Sequence, residues 1–105
     1  MTNLRTFCDS LEQMIRWLMD RKTTKEKVRD LIEGHIKYVM KASGNIAAVA
    51  KEREDYVYYL SQLRGPLNKP ESGTALTNAR DINKRYRPAF ENKLRQVDPK
   101  NILLK

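Results

Sequence analysis

Apolar residues recur at three- and four-residue steps along almost the whole chain, the spacing that stacks side chains on one face of an α-helix. From Leu4 to Asp20 the stripe is Leu4, Phe7, Cys8, Leu11, Met14, Ile15 and Leu18. It predicts a first helix over 4–20, capped by Asn3 or Thr2. Thr23-Thr24-Lys25-Glu26 reads as a capping box, in which a Thr hydroxyl and the Glu carboxylate satisfy free backbone amides. A second helix over 24–42 follows, with Val28, Leu31, Ile32, His35, Ile36 and Val39 on one side. Gly44 is expected to stop it in a left-handed conformation. Asn45 is expected to cap a third helix over 45–64, striped by Ile46, Val49, Ala50, Tyr56, Val57, Leu60 and Leu63. Arg53 interrupts that stripe and calls for an acidic partner or a route to solvent.

Glycine and proline punctuate residues 65–73, which predicts a loop. A fourth helix is expected over 75–97, with Ala75, Ala79, Ile82, Tyr86, Phe90, Leu94 and Val97 on its apolar side. Pro88 lies inside it and predicts a kink or a split into two shorter helices. No useful strand alternation or repeat appears. The expected architecture is all-α and single-domain over 1–105: a small bundle of three antiparallel helices plus a fourth, Pro-kinked C-terminal helix.

Composition narrows the class. In 105 residues there is room for one domain. One cysteine and one histidine exclude an internal disulfide, a Cys-rich zinc site and a two-histidine metalloprotease motif. The lone cysteine fits a reducing, cytoplasmic setting. No apolar run nears the ~18 residues of a membrane span, and no signal peptide is visible. There is no Gly-rich phosphate loop, nucleophile elbow or metal-ligand cluster. Cys8 and His35 would suit a nucleophile and its base, yet both fall on the apolar stripes of their helices. Core packing is the expected role of each. The chain therefore reads as non-enzymatic, with no catalytic residues, cofactor, metal or small-molecule substrate.

Net charge is +8, and it is unevenly placed. Residues 1–63 hold 11 basic and 9 acidic groups, and residues 64–105 hold 10 and 4. On a straight helix Arg80, Lys84 and Arg87 share an edge, with Arg95 two turns beyond and Lys84-Arg85-Tyr86-Arg87 the densest basic cluster. Guanidinium and ammonium groups in such a row match phosphate spacing. Arg80, Lys84, Arg85, Arg87 and Arg95 are the expected nucleic-acid contacts, without strong sequence preference, since no helix-turn-helix, zinc-finger or RNP signature is present.

An alternative is a protein-binding inhibitor or adaptor, in the manner of phage or plasmid accessory factors, that docks on an acidic or host protein such as a nucleic-acid-processing enzyme. Trp17 falls opposite the stripe of its helix, among polar residues, where it is either covered by the fourth helix or free for a partner or a second copy of the chain. Tyr58 falls likewise on the third helix, amid mixed charges that point to a protein contact or to ordinary surface exposure. Gly65 and Pro66 in the loop, and Leu103 in the apolar tail Ile102-Leu103-Leu104, complete this candidate set. A membrane-surface role is disfavoured by Asp81, Glu91 and Pro88 within the basic helix.

Overall fold

Asn3 starts the first helix: its side-chain oxygen accepts the Thr6 amide at 2.8 Å. The computed structural model describes residues 3–69 and 73–105. Thr2, the other cap candidate, and loop residues 70–72 lie outside the described residues. The described residues form helices joined by short turns, without strands. None of their helices is long and apolar enough to cross a membrane.

Helix α1 (Leu4–Met19) buries Leu4, Phe7, Cys8, Leu11, Ile15 and Leu18, the face its spacing predicts. It ends on Arg21, which takes a left-handed φ of 61°. The turn closes with the Lys22 amide donating to the Trp17 carbonyl at 2.7 Å, a six-to-one closure of the Schellman type usually built on glycine. Helix α2 (Lys25–Ser43) begins one residue later than the capping box implies. Thr24 is the cap, its hydroxyl accepting the Lys27 amide at 3.3 Å. Glu26 therefore sits in the first turn, where it complements the helix dipole, and Lys27 holds the position a box would give to Glu.

Gly44 closes α2 in a right-handed conformation, φ −61° and ψ −26°, so left-handed freedom is not what the position requires. It requires space, because a Cβ there would collide with the Met40 carbonyl. Asn45 does not cap the next helix. A 3-10 turn, Ala47–Val49, leads into α3 (Ala50–Gln62), and Arg53 secures the junction. Its guanidinium donates to the carbonyls of Ser43 at 2.7 Å and Ile46 at 3.1 Å. The partner expected to be a carboxylate is thus a pair of carbonyls, that of Ser43 at the C-terminal end of α2, where the dipole is negative, and that of Ile46 in the junction beyond it.

Only Leu63 separates α3 from a one-turn helix, α4 (Arg64–Leu67). Residues 65–67 are therefore helical rather than loop. Pro66 is tolerated because an amide in a first turn has no intrahelical acceptor to lose. Leu63 and Leu67 are fully buried, which explains why the turn is held.

The chain stays helical from Thr74 to Val97 in three stretches: α5 (Thr74–Asp81), a π-helical turn (Ile82–Tyr86) and α6 (Arg87–Val97). At about 1.5 Å per residue this run is about 36 Å long, close to the 40 Å longest dimension of the molecule. The wide turn lies directly before Pro88, and the Arg87 amide donates to Ile82, five residues back. A proline clashes with the carbonyl four residues before it, here that of Lys84, and the wider winding relieves this crowding. One added residue sets everything after it back by about 100°. That rotation brings Phe90 and Leu94 onto the same buried face as Ala75, Ala79 and Ile82.

Tyr56 and Phe90 are the largest fully buried side chains. They meet at 5.5 Å between ring centroids, joining α3 to α6 through the core. The tail folds back: Asn101 donates to the Ala42 carbonyl at 2.9 Å and accepts the Leu103 amide at 2.9 Å. Leu103 is fully buried.

Candidate nucleic-acid interface

Five basic residues of the last helix carry the sequence-based expectation, and the fold treats them differently. Arg87 lines the same groove as Arg80 and Lys84, but its side chain is held by neighbours on its own helix. Its side chain is 13% exposed, and its guanidinium is bonded on two sides. Nε donates to Asn83 Oδ1 at 2.6 Å and a terminal nitrogen to Glu91 Oε2 at 2.8 Å. Arg87 is thus held by two side chains of its own helix, Asn83 and Glu91.

Arg80 stands 3.7 Å from Glu12 and Arg85 3.5 Å from Asp81, both as exposed side chains. The Arg85–Asp81 pair is exposed on both sides, the kind that contributes about 1 kcal/mol or less, so a phosphate can compete for Arg85. Glu12 is half-buried, but its 3.7 Å separation leaves Arg80 loosely held. Lys84 and Arg95 are exposed and have no ion-pair partner among the described residues.

Packing of α1 against the π turn adds a residue that the sequence alone does not single out. A groove of about 420 Å³ runs between them, with Arg5, Asp9 and Glu12 on α1 facing Arg80, Asn83, Lys84 and Arg87. Asn83 spans it, donating to Asp9 at 2.9 Å and to Glu12 at 2.7 Å. Its oxygen accepts from Arg87, so one amide satisfies two carboxylates and orients a buried guanidinium. Four cations and two carboxylates line this groove. The excess is positive, and Arg5 and Lys84 are its unpaired members among the described residues.

On the other side of the same turn, Tyr58, Tyr59 and Gln62 of α3 face Asn78, Asp81, Ile82 and Tyr86 across a groove of about 340 Å³. Tyr59 stacks on Tyr86 with ring centroids 4.1 Å apart and planes 19° from parallel. Tyr58 meets Tyr59 edge-on at 5.1 Å. The Tyr59 phenol is held above its ordinary pKa by its hydrogen bond to Tyr86.

The protein-contact candidates divide as well. Trp17 is 44% exposed, so the fourth helix does not cover it. Gly65 is exposed and Pro66 half-buried within α4, not in an open loop. Leu103 is buried under the tail and offers nothing to a partner.

Cys8 and His35 do come together, through a hydroxyl that pattern alone did not place between them. Tyr56 Oη lies 2.8 Å from His35 Nε2 and 3.4 Å from Cys8 Sγ, and one hydroxyl can accept from one and donate to the other. Phe7 stacks on the imidazole at 3.5 Å. Burial lowers the His35 pKa to about 4 and raises that of Cys8 to about 12. Near neutral pH the trio is an uncharged, internally satisfied network. It holds a thiol that is not ionised and an imidazole too weak to ionise it. No group of three His, Cys, Asp or Glu among the described residues could hold a metal ion.

Comparison with known protein families, with curated proteins and with solved structures finds no match to this chain. What fold and surface define is an all-helical chain with a cationic groove and a tyrosine groove on opposite sides of one π-helical turn.

Proposed function

We propose that this is a non-enzymatic binding protein that holds nucleic acid, largely without sequence preference, on the surface of Thr74–Val97 and the facing side of α1. In this reading it acts in the cytoplasm, and the first three helices, in antiparallel succession, are the scaffold. The observation that carries the reading is the groove in which Arg5, Arg80, Lys84 and Arg87 outnumber Asp9 and Glu12, on the part of the chain that holds most of the excess charge. Arg5, Arg80, Lys84, Arg85 and Arg95 contact phosphates. Arg80 and Arg85 exchange a carboxylate partner for a phosphate oxygen, which adds a bidentate option at each. Arg87 keeps the groove in shape and makes no contact.

Five phosphate contacts imply a salt slope of about −4.5 on duplex and about −3.5 on a single strand. Affinity should fall about 500-fold and about 100-fold respectively between about 50 and 200 mM monovalent salt. Fluorescence anisotropy of a labelled oligonucleotide at the two salt concentrations reads this directly. A flat salt dependence, or no binding at low salt, contradicts the proposal. The exposed Trp17 favours a second reading, docking on a protein partner or a second copy of the chain through α1, and absence of oligonucleotide binding would support it.

A further inference from the structure

On its own helix Tyr58 stands amid mixed charges, which points to a protein contact. The fold changes those surroundings by bringing α3 against the π turn. Tyr86 supplies a stacking partner for Tyr59, and Tyr58, 56% exposed, extends the row of phenol rings with a free face. Gln62 and Asn78 line the same groove and carry amide donors and acceptors of the kind that meet base edges. Asp81, the carboxylate of that lining, is paired with Arg85 at 3.5 Å, which sets a guanidinium at the rim. Lys84, the preceding residue, lines the cationic groove on the other side of the turn. The Lys84–Arg85 ridge therefore joins a groove that attracts phosphates to one that presents aromatic faces.

We infer that the tyrosine groove is a stacking site for unpaired nucleobases and that the protein holds single strands in preference to duplexes. The inference rests on the nucleic-acid reading above. In a duplex both faces of each base are occupied by its own stack, so a tyrosine on the protein surface meets only edges and backbone. An unpaired base offers its face, and stacking on an aromatic side chain tolerates any sequence because every base has a π-face. A strand that crosses the Lys84–Arg85 ridge keeps its phosphates on the cations and turns its bases toward Tyr58. Thymine-rich and mixed strands should be held alike.

The test compares a labelled 20-nucleotide single strand with its duplex at about 50 mM salt, a concentration that leaves phosphate contacts strong. Both are titrated with the unaltered chain, with Tyr58→Ala and with Tyr58→Phe. Single-strand affinity should exceed duplex affinity about 10-fold, in line with about one stacked base. Tyr58→Ala should remove that advantage while leaving duplex affinity unchanged, and Tyr58→Phe should retain it. Because Tyr58 is exposed, the Ala variant should melt with the unaltered chain. Equal binding of both forms by the unaltered chain overturns the inference. So does a Tyr58→Ala variant that weakens both forms alike or neither, and in each case the phosphate-binding reading stands. Absence of binding to either form at this salt fails the nucleic-acid reading itself, and the stacking site with it, and leaves the groove to a protein ligand.

Discussion

Reversing two charges, Lys84→Glu with Arg85→Glu, should weaken oligonucleotide binding at least about 100-fold while leaving the fold intact. Each charge-assisted contact is worth about 1.5 kcal/mol or more, and two of them make about two orders of magnitude. Repulsion between the new carboxylates and the phosphates adds to the loss. The variant should melt normally, because both side chains are exposed and only one exposed ion pair, Arg85–Asp81, is lost. Arg87 is the wrong residue for this experiment. Its guanidinium is locked to Asn83 and Glu91, so a carboxylate there would face Glu91 in a half-buried site and destabilise the helix. A control with the same change in net charge, Lys22→Glu with Lys25→Glu, should lose much less affinity. Equal losses in the two variants would mean that the whole-molecule field, not a site at the π turn, holds the ligand.

Acid should destabilise the protein from about pH 6.5 downward, through its one histidine. His35 is the only histidine, and burial lowers its pKa from 6.5 to about 4. Stacking on Phe7 would favour an imidazolium through the ring quadrupole, but the lost hydration of a buried cation outweighs it. Above pH 6.5 the imidazole is neutral in both folded and unfolded chains, and the full stability is present. Between pH 6.5 and about 4 the unfolded chain takes up a proton that the folded chain refuses, so stability falls as pH falls. A difference of this size corresponds to roughly 3 kcal/mol across the window. Urea unfolding at intervals from pH 7 to pH 4.5 measures it, and His35→Gln should flatten the slope. If that variant does not fold, the ring's own titration followed by NMR gives the same answer. A His35 pKa near 6.5 in the folded chain would remove the effect.

The four helical stripes were legible in the sequence because each follows a repeat close to 3.6 residues, and the buried face of α1 matches its stripe. The π turn was also written there, though in a form that a straight wheel conceals. Ile82, Tyr86, Phe90 and Leu94 recur every four residues, a spacing that drifts about 40° per step around an α-helix. One wider turn keeps Ile82, Phe90 and Leu94 together in the core and leaves Tyr86 at its edge, on the tyrosine groove. The shared edge of Arg80, Lys84 and Arg87 survives as one wall of a groove, while the bonds that hold Arg87 to Asn83 and Glu91 are not visible in a count of basic residues.

Other features depend on contacts between distant segments, which no local pattern encodes. Arg53 reads as a defect in its stripe until the C-terminal carbonyls of α2 are placed beside it. Tyr56 reads as one more core aromatic until it lies between His35 and Cys8. Arg5 and the Tyr59–Tyr86 stack join the candidate surfaces only once α1 and α3 have packed against the last helix. Trp17 is the opposite case, because its position off the apolar stripe marked it from the start and the fold leaves it exposed.

Backbone amide chemical shifts recorded while a short single strand is titrated in at low salt locate the nucleic acid on the fold. With the strand lying across the π turn, the shifts should cluster at Arg5–Glu12, Tyr58–Gln62 and Asn78–Arg87, growing with ligand and vanishing as salt is raised. Shifts confined to the Trp17 side of α1, or none at any ratio, would contradict this placement.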